Sequence, residues 1–166
     1  MIGSIDTCFL IDWARYRRRE MLERMFEYIY VTEDVLAEIY SDTTLEYVSE
    51  TLARGFLVIY PFRREAEPIV RRAVELSARD PRIPVLDPPE AFALAIACRE
   101  GGVCLTENRG VLLLVRYYEE FREVEVWRSL ELLEYAHRIH LVKDLEGELE
   151  AFSEDTGHVF PKKESS

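Results

Sequence analysis

Four acidic residues lie far apart in the chain, and three of them stand where an apolar element meets a loop. They are Asp6, Glu38, Glu90 and Glu107. An unpaired carboxylate costs several kcal/mol to bury, so acids in such settings usually share a ligand or cap a helix. If the fold brings the four together, their mutual repulsion calls for a hard divalent cation. The pattern therefore predicts an acidic metal site.

Each acid also has a plain structural interpretation. Asp6 precedes a predicted helix and stands at its N-cap position. The run Asp87–Glu90 has the spacing of a capping box with prolines in the first turn. Glu38 lies on the flank of a buried helical stripe, where a solvated rim carboxylate is as good an interpretation as a ligand. Glu107 belongs to a Thr-Glu-Asn run that a polar turn would explain. Singly the acids favour structural roles; together and in this order they favour a functional site.

Composition limits the class of protein. A length of 166 residues with 48% hydrophobic content supports one domain with a sizeable core. No apolar stretch is long enough to span a membrane and no signal pattern opens the chain, which predicts a cytoplasmic protein. The three cysteines have no CxxC spacing, so we expect reduced, mostly buried thiols.

The charge pattern carries two further expectations. A net charge of -11 argues against a protein that coats nucleic acid, but not against an enzyme that holds cations in an acidic pocket. The chain has no Gln and a single Asn, Asn108, beside Glu107. Depletion of thermolabile amides in a chain rich in charge indicates a thermophilic source.

Short β-branched or aromatic runs alternate with helix-like stretches, and no two-residue hairpin signal joins one run to the next. This alternation predicts an α/β architecture with a mostly parallel sheet of about five strands. Strands are expected at about 2–6, 28–32, 56–60, 102–106 and 123–127. Helices are expected at about 8–26, 33–53, 65–79, 88–100, 109–120, 128–140 and 143–153.

The predicted elements allow the acids to converge. In open parallel sheets, ligands bind outside the carboxyl ends of the strands, at the topological switch point. Asp6 and Glu107 lie at or just beyond strand ends, while Glu38 and Glu90 are expected in the first turns of helices. All four can therefore project onto one edge of one sheet.

Four segments, in order, resemble the acidic motifs of PIN-domain nucleases. They are Ile5-Asp6-Thr7-Cys8-Phe9-Leu10-Ile11-Asp12, Val35-Leu36-Ala37-Glu38-Ile39, Glu90-Ala91-Phe92-Ala93-Leu94-Ala95-Ile96-Ala97 and Leu105-Thr106-Glu107-Asn108. The resemblance implies a three-layer α/β/α nuclease domain over residues 1–127. Residues 128–166, which include Gly157-His158-Val159-Phe160-Pro161, resemble the C-terminal helical extension of some prokaryotic members and end in a polar tail.

The resemblance implies metal-dependent hydrolysis of RNA. Asp6, Glu38 and Glu90 would hold Mg²⁺ or Mn²⁺, with Glu107 helping a second ion, and oxygen-only ligands suit these metals. Thr7, Thr106 and Asn108 would support the carboxylates. Arg109 and Arg15 are the candidates for contacts with the RNA backbone, although a solvated helix face is the commoner meaning of the arginine run that begins at Arg15. Trp13 and Tyr16 could stack on bases, although core packing is commoner for such aromatics.

Two residues depart from the family pattern: Cys8 stands where many members have Asn, and Glu107 stands where a fourth Asp is usual. Family members are often homodimers, and many are toxins paired with a small antitoxin protein, so both partners are expectations here.

Two other α/β classes fit the sequence less well. A haloacid-type phosphatase would need Asp at position 8, where this chain has Cys, and a receiver domain would need an early acidic pair and a strand-end Lys, which this sequence does not show. The main alternative is a catalytically weak or inactive PIN-fold module that binds RNA or protein.

Overall fold

The computed structural model describes residues 1–161 and shows a central parallel sheet between two layers of helices. The strands are β1 (Ile2–Ile5), β2 (Tyr28–Val31), β3 (Leu57–Ile59), β4 (Val103–Leu105) and β5 (Glu125–Trp127). The helices are α1 (Thr7–Arg15), α2 (Met21–Met25), α3 (Glu33–Ala37), α4 (Asp42–Ala53), α5 (Arg63–Arg79), α6 (Pro88–Glu100), α7 (Arg109–Tyr117), α8 (Ser129–Arg138) and α9 (Leu145–Thr156). The predicted three-layer α/β/α architecture is confirmed, and every strand pair in the described chain is parallel.

The strand order is β3-β2-β1-β4-β5. The chain therefore builds the sheet outward from β1 in one direction and then, from β4, in the other. The switch point lies between β1 and β4, which pair in a register that sets Ile5 beside Leu105. A crevice outside the carboxyl ends of these two strands is where such a sheet binds ligands.

Two apolar clusters fill the space on the two faces of the sheet. One joins Phe9 and Trp13 of α1 to Leu132 of α8 and Phe152 of α9. The other joins α5, α6 and α7, and in it every residue of 91–97 is buried. The C-terminal helices thus pack against the first helix of the chain, and α6 lies in the centre of the opposite layer.

Two long predicted helices are each interrupted. The expected helix 8–26 ends at Arg15 and resumes at Met21, and the expected helix 33–53 ends at Ala37 and resumes at Asp42. At the second break, Ser41 caps α4 by accepting a hydrogen bond from the backbone N of Thr44 at 3.2 Å. A serine followed by an acidic residue is a helix-start signal. Glu38 was therefore wrongly expected in the first turns of a helix; it follows the last residue of the short helix α3.

Within residues 1–161, no helix is both long enough and apolar enough to cross a membrane. The predicted polar tail after Pro161 lies outside the described residues.

Candidate active site

Asp6 is the most buried of the four candidate acids, with 3% of its surface exposed. It is the N-cap of α1, and its Oδ1 accepts a hydrogen bond from the backbone N of Phe9 at 2.9 Å. The capping interpretation is therefore confirmed, but it uses only one carboxylate oxygen. The other, Oδ2, accepts a short hydrogen bond from Oγ1 of Thr106, the residue after β4. Asp6 is thus held from both strands at the switch point.

The charge on Asp6 is poorly tolerated where it stands. The pKa of Asp6 is raised to about 6. Burial is the main cause, the hydrogen bonds from Thr106 and Phe9 partly offset it, and the charges of Glu90 and Glu107 add to it. A bound cation would offset the cost of holding a charged carboxylate in such a buried position.

Glu90 reaches the crevice from the opposite helical layer. Ser4 Oγ donates a hydrogen bond to the carbonyl oxygen of Ala93 at 2.5 Å, which fixes α6 against β1. Glu90 Oε2 accepts from the backbone N of Asp87 at 2.8 Å, as a capping box requires. Burial, and then the charge of Asp87, raise the pKa of Glu90. As with Asp6, the capping role is confirmed and leaves a second oxygen for another partner.

That partner is Asn108. Its Nδ2 donates to Glu90 Oε1 at 2.6 Å, and its backbone N donates to Thr106 Oγ1 at 3.0 Å. Asn108 also caps α7, because its Oδ1 accepts from the backbone N of Gly110 at 2.7 Å. A continuous chain of hydrogen bonds therefore runs from Asp6 through Thr106 and Asn108 to Glu90.

Glu107, the predicted fourth acid, is oriented towards the C-terminal helices. Its Oε1 accepts from the backbone N of Ser129 at 2.6 Å, at the start of α8, and its Oε2 lies 3.8 Å from Nε2 of His158. The charge of Glu107 nevertheless contributes to the raised pKa of Asp6. Glu107 therefore borders the site and is also bound to the N-terminus of α8.

Glu38 is exposed and stands at the end of α3. Its relation to the other acids is seen at Cys8 on α1. Cys8 is an exposed residue, contrary to the expectation of mostly buried cysteines. Burial raises the pKa of Cys8, and the charges of Asp6, Asp12, Glu90 and Glu38 raise it further. The charges of these four acids therefore all act on one position of α1.

Two further side chains, Asp12 and His158, interact with these acids, although neither of them was assigned a role from the sequence. Asp12 lies one turn after Cys8 on the same face of α1. The pKa of Asp12 is raised mainly by burial; the charge of His158 acts to lower this pKa, and the charge of Glu107 acts to raise it. The spacing of Cys8 and Asp12 was a usable signal. For His158, some 150 residues away, local sequence offers none, because only the return of the chain after Gly157 brings it here.

The donors fit a hard cation. They are carboxylate and hydroxyl oxygens, and Mg²⁺ and Mn²⁺ prefer oxygen ligands. Thr7 is buried beside Asp6, and no residue of the described chain supplies a hydrogen-bond partner for its Oγ1. In residues 1–161, no three His, Cys, Asp or Glu side chains stand close enough together to form a metal-binding group as they are placed. Asp6 and Glu90, with the hydroxyls of Thr7 and Thr106, are the residues that could hold an ion, and Asn108 orients Glu90. The charge of Glu38 acts on Cys8.

Of the residues predicted to contact RNA, the two arginines are exposed and the two aromatic residues are buried. Arg109 and Arg15 are exposed, and neither forms an ion pair within the part of the chain that is described, so both are free to meet a phosphate. The neighbours of Arg15 instead bind α9: Arg17 contacts Asp155 at 2.8 Å and Arg18 contacts Glu148 at 2.9 Å. Trp13 and Tyr16 are buried in the core, which excludes them as base-stacking residues.

No family model matches this chain, and neither a curated protein nor a solved structure matches it.

Proposed function

We propose that this protein is a metal-dependent endoribonuclease of the PIN type, with its active site at the β1–β4 switch point. The observation that carries the proposal is the buried carboxylate of Asp6, which is joined to Glu90 through Thr106 and Asn108 and whose pKa is raised in part by the charges of Glu90 and Glu107. A helix cap alone would not require a second carboxylate in the same crevice. The order of the acidic motifs in the sequence supports the same assignment.

Asp6 and Glu90 are the residues proposed to hold Mg²⁺ or Mn²⁺, with Glu38 completing the set from α3. The ion, when bound, supplies a Lewis acid that activates water and offsets charge on the scissile phosphate. Both oxygens of Glu90 already accept hydrogen bonds, but each carboxylate oxygen has two lone pairs and can still bind a cation.

The surrounding residues orient these ligands. Thr106 donates to Asp6 and so favours its ionised form, which is the form that binds a cation. Asn108 fixes Glu90 without adding a charge to the crevice. Arg109, in the first turn of α7 next to Asn108, is proposed to contact the RNA backbone.

A second candidate function is a PIN-type module that binds RNA or protein without cleaving it. The specific observation in its favour is the hydrogen bond between Glu107 and Ser129, because that carboxylate is committed to the start of α8.

The resemblance to PIN-domain nucleases also supports the proposals of a homodimer and of an antitoxin partner. Light scattering on the purified chain measures the first, and co-expression with the adjacent reading frame tests the second.

The deciding experiment measures thermal unfolding with increasing Mn²⁺ and Mg²⁺ for the wild type, Asp6→Asn and Glu90→Gln, followed by cleavage of a mixed-sequence RNA. An ion bound only to the native state raises the unfolding temperature in a saturable way. A rise that is lost in both variants, together with cleavage that needs the ion and Asp6, supports the nuclease. Ion binding without cleavage favours the non-catalytic module, and the absence of any ion response contradicts the proposed metal site.

A further inference from the structure

Gly110, in the first turn of α7, lies against the loop that joins α5 to α6. A β-carbon at this position would stand 2.7 Å from Cδ2 of Leu86, 2.8 Å from the carbonyl oxygen of Pro84 and 2.9 Å from Oδ1 of Asn108. Contacts this short are repulsive, because non-bonded carbon atoms meet best at about 3.5–4.0 Å. Any residue other than glycine would therefore require α7 or the loop to move.

Backbone conformation does not account for this glycine. The glycines with positive φ in the described chain are Gly55, Gly101 and Gly157, and Gly110 is not among them. Alanine is more favourable than glycine within a helix, so a residue with a side chain would otherwise be preferred at this position. The close approach of α7 to the loop is therefore the reason for glycine here.

The loop on the other side of this contact is held in place. The backbone N of Leu86 donates to Oγ of Ser77, a buried residue of α5, at 3.1 Å, and the Leu86 side chain is itself buried. At its start the loop is joined to the end of α7, because the Tyr118 hydroxyl donates to Oδ2 of Asp80 at 2.9 Å. A larger residue at position 110 would therefore displace the first turn of α7 rather than the loop.

Asn108 is the side chain that such a displacement would move. Its Oδ1 accepts from the backbone N of Gly110 at 2.7 Å, and its Nδ2 donates to Oε1 of Glu90 at 2.6 Å. The carboxamide is thus held between the first turns of α7 and α6, and a β-carbon on residue 110 would press directly on its oxygen. Because a hydrogen bond no longer exists at about 3.6 Å, a separation of the two helices by roughly 1 Å is enough to break the bond to Glu90.

We propose that Gly110 is a positioning residue of the candidate active site, because its missing side chain lets Asn108 reach and orient Glu90. The inference rests on the proposed function for the link from Glu90 to a bound ion, and it adds a residue that has no side chain with which to bind that ion. Loss of a group that orients a metal ligand typically weakens metal binding by about 10- to 100-fold. An added methyl group at position 110 should therefore weaken ion binding although every ligand is kept.

The chain contains its own reporter for this test. It has no Gln and a single Asn, so its proton–nitrogen NMR spectrum has one pair of side-chain amide signals, from Nδ2 of Asn108. Donation to a carboxylate slows the exchange of these protons with water, and Mn²⁺, which is paramagnetic, broadens their signals when it binds nearby. The pair therefore reports both the bond to Glu90 and the occupation of the ion site in the full chain.

Gly110→Ala should abolish the protection of the Asn108 amide protons and raise the Mn²⁺ concentration for half-maximal broadening by about 10- to 100-fold. Gly102→Ala is the matched control, because its β-carbon would stand 2.9 Å from the carbonyl oxygen of Ile2, an equally close backbone contact at the opposite edge of the sheet. The control should be less stable than the wild type but should keep both the amide signals and the Mn²⁺ midpoint.

The proposal stays testable if Gly110→Ala does not fold. The same signals are then compared between the double variant Gly110→Ala/Leu86→Val and Leu86→Val alone. Valine lacks the nearest obstructing atom, whereas the Pro84 carbonyl stays in place, so the double variant should still lose the protection of Asn108.

Three results would overturn the proposal: a wild-type amide pair that exchanges as fast as a free amide, amide signals unchanged by the methyl group at position 110, or equal rises of the Mn²⁺ midpoint in Gly110→Ala and Gly102→Ala. The third would trace the loss to general destabilisation. If Mn²⁺ causes no saturable broadening in the wild type while Gly110→Ala still releases the amide pair, Gly110 does position Asn108 and the proposed metal site is what fails.

Discussion

Asn108 donates a hydrogen bond from Nδ2 to Oε1 of Glu90 at 2.6 Å, across 18 positions of sequence. Through Oδ1 the same side chain accepts from Gly110 and begins α7. One amide therefore joins the first turns of α6 and α7 at the edge of the sheet. The single asparagine of the chain is placed where its two ends serve different partners, one as donor and one as acceptor.

Replacing Asn108 by Asp should change the ion response of the protein. Asp keeps the acceptor that caps α7 but loses the donor to Glu90 and sets a second negative charge against it. Without divalent ions we expect the free energy of unfolding to fall by about 1–2 kcal/mol. With Mn²⁺ the rise in unfolding temperature should exceed that of the wild type, because the ion relieves the added repulsion.

Asn108→Ser is the control for that experiment, since it retains a capping oxygen and loses the donor without adding charge. It should be destabilised but should gain no additional response to Mn²⁺. Equal ion responses in the two variants would show that Asn108 does not face the ion.

Asp6→Asn should stabilise the metal-free protein near neutral pH. The folded-state pKa of Asp6 is about 6, above its ordinary value of 3.8, so ionising the buried group weakens the native state as the pH rises through that interval. Asn can still accept from Phe9 and carries no charge. The free energy of unfolding of the variant should exceed that of the wild type by about 1–3 kcal/mol above pH 6.

The advantage should shrink as the pH falls from about 6 towards 3.8, because wild-type Asp6 becomes protonated in both states. Urea unfolding in the presence of EDTA at several pH values measures the difference between the two proteins. A difference that is constant with pH would mean that Asp6 is not the titrating group.

Glu107 should tolerate Gln better than Ala. Gln retains the oxygen that accepts from Ser129, whereas Ala leaves the start of α8 without its side-chain acceptor. We expect Glu107→Ala to be less stable than Glu107→Gln by about 1 kcal/mol in urea unfolding. In RNA-cleavage assays Glu107→Gln should lose less activity than Asp6→Asn; an equal or larger loss would place Glu107 among the essential ligands.

The elements and the caps were predictable because they depend on local signals. Periodicity located the five strands, and the spacing at Asp87–Glu90 identified the start of α6. The sheet order was not predictable in the same way, because pairing of β1 with β4 depends on contacts across about 100 residues. The position of Glu38 was missed because its apolar neighbours continue a helical pattern through the break before Ser41.

In the candidate site, too, the features that depend on local sequence were predictable and those that depend on distant contacts were not. Asp6 and Glu90 could be proposed from the sequence because both lie at element boundaries, and the structure links them by hydrogen bonds. Asn108 was assigned a supporting role from the sequence but not its bond to Glu90, and His158 was assigned no role, since each acquires its partner only through tertiary packing. Trp13 and Tyr16 were considered for base stacking but are buried, because α8 and α9 cover α1. No local sequence pattern specifies that packing.

Thr106 should control the pH range over which the site binds ions. Its hydroxyl donates to Asp6 and lowers the pKa of that carboxyl, so Thr106→Val should raise the pKa further above about 6. A larger fraction of Asp6 is then protonated near neutral pH, and Mn²⁺ must displace a proton in order to bind. The pH at which the Mn²⁺-induced rise in unfolding temperature reaches half its maximum should therefore move upward.

Thr106→Ser retains the hydroxyl and should leave that pH midpoint where the wild type has it. The comparison isolates the hydrogen bond, because in Thr106→Val the backbone N of Asn108 also loses the acceptor that it meets at 3.0 Å, a change expected to alter overall stability at every pH. Only a loss of donation to Asp6 moves the midpoint. Coincident midpoints in Thr106→Val and Thr106→Ser would show that the Thr106 hydroxyl does not tune Asp6.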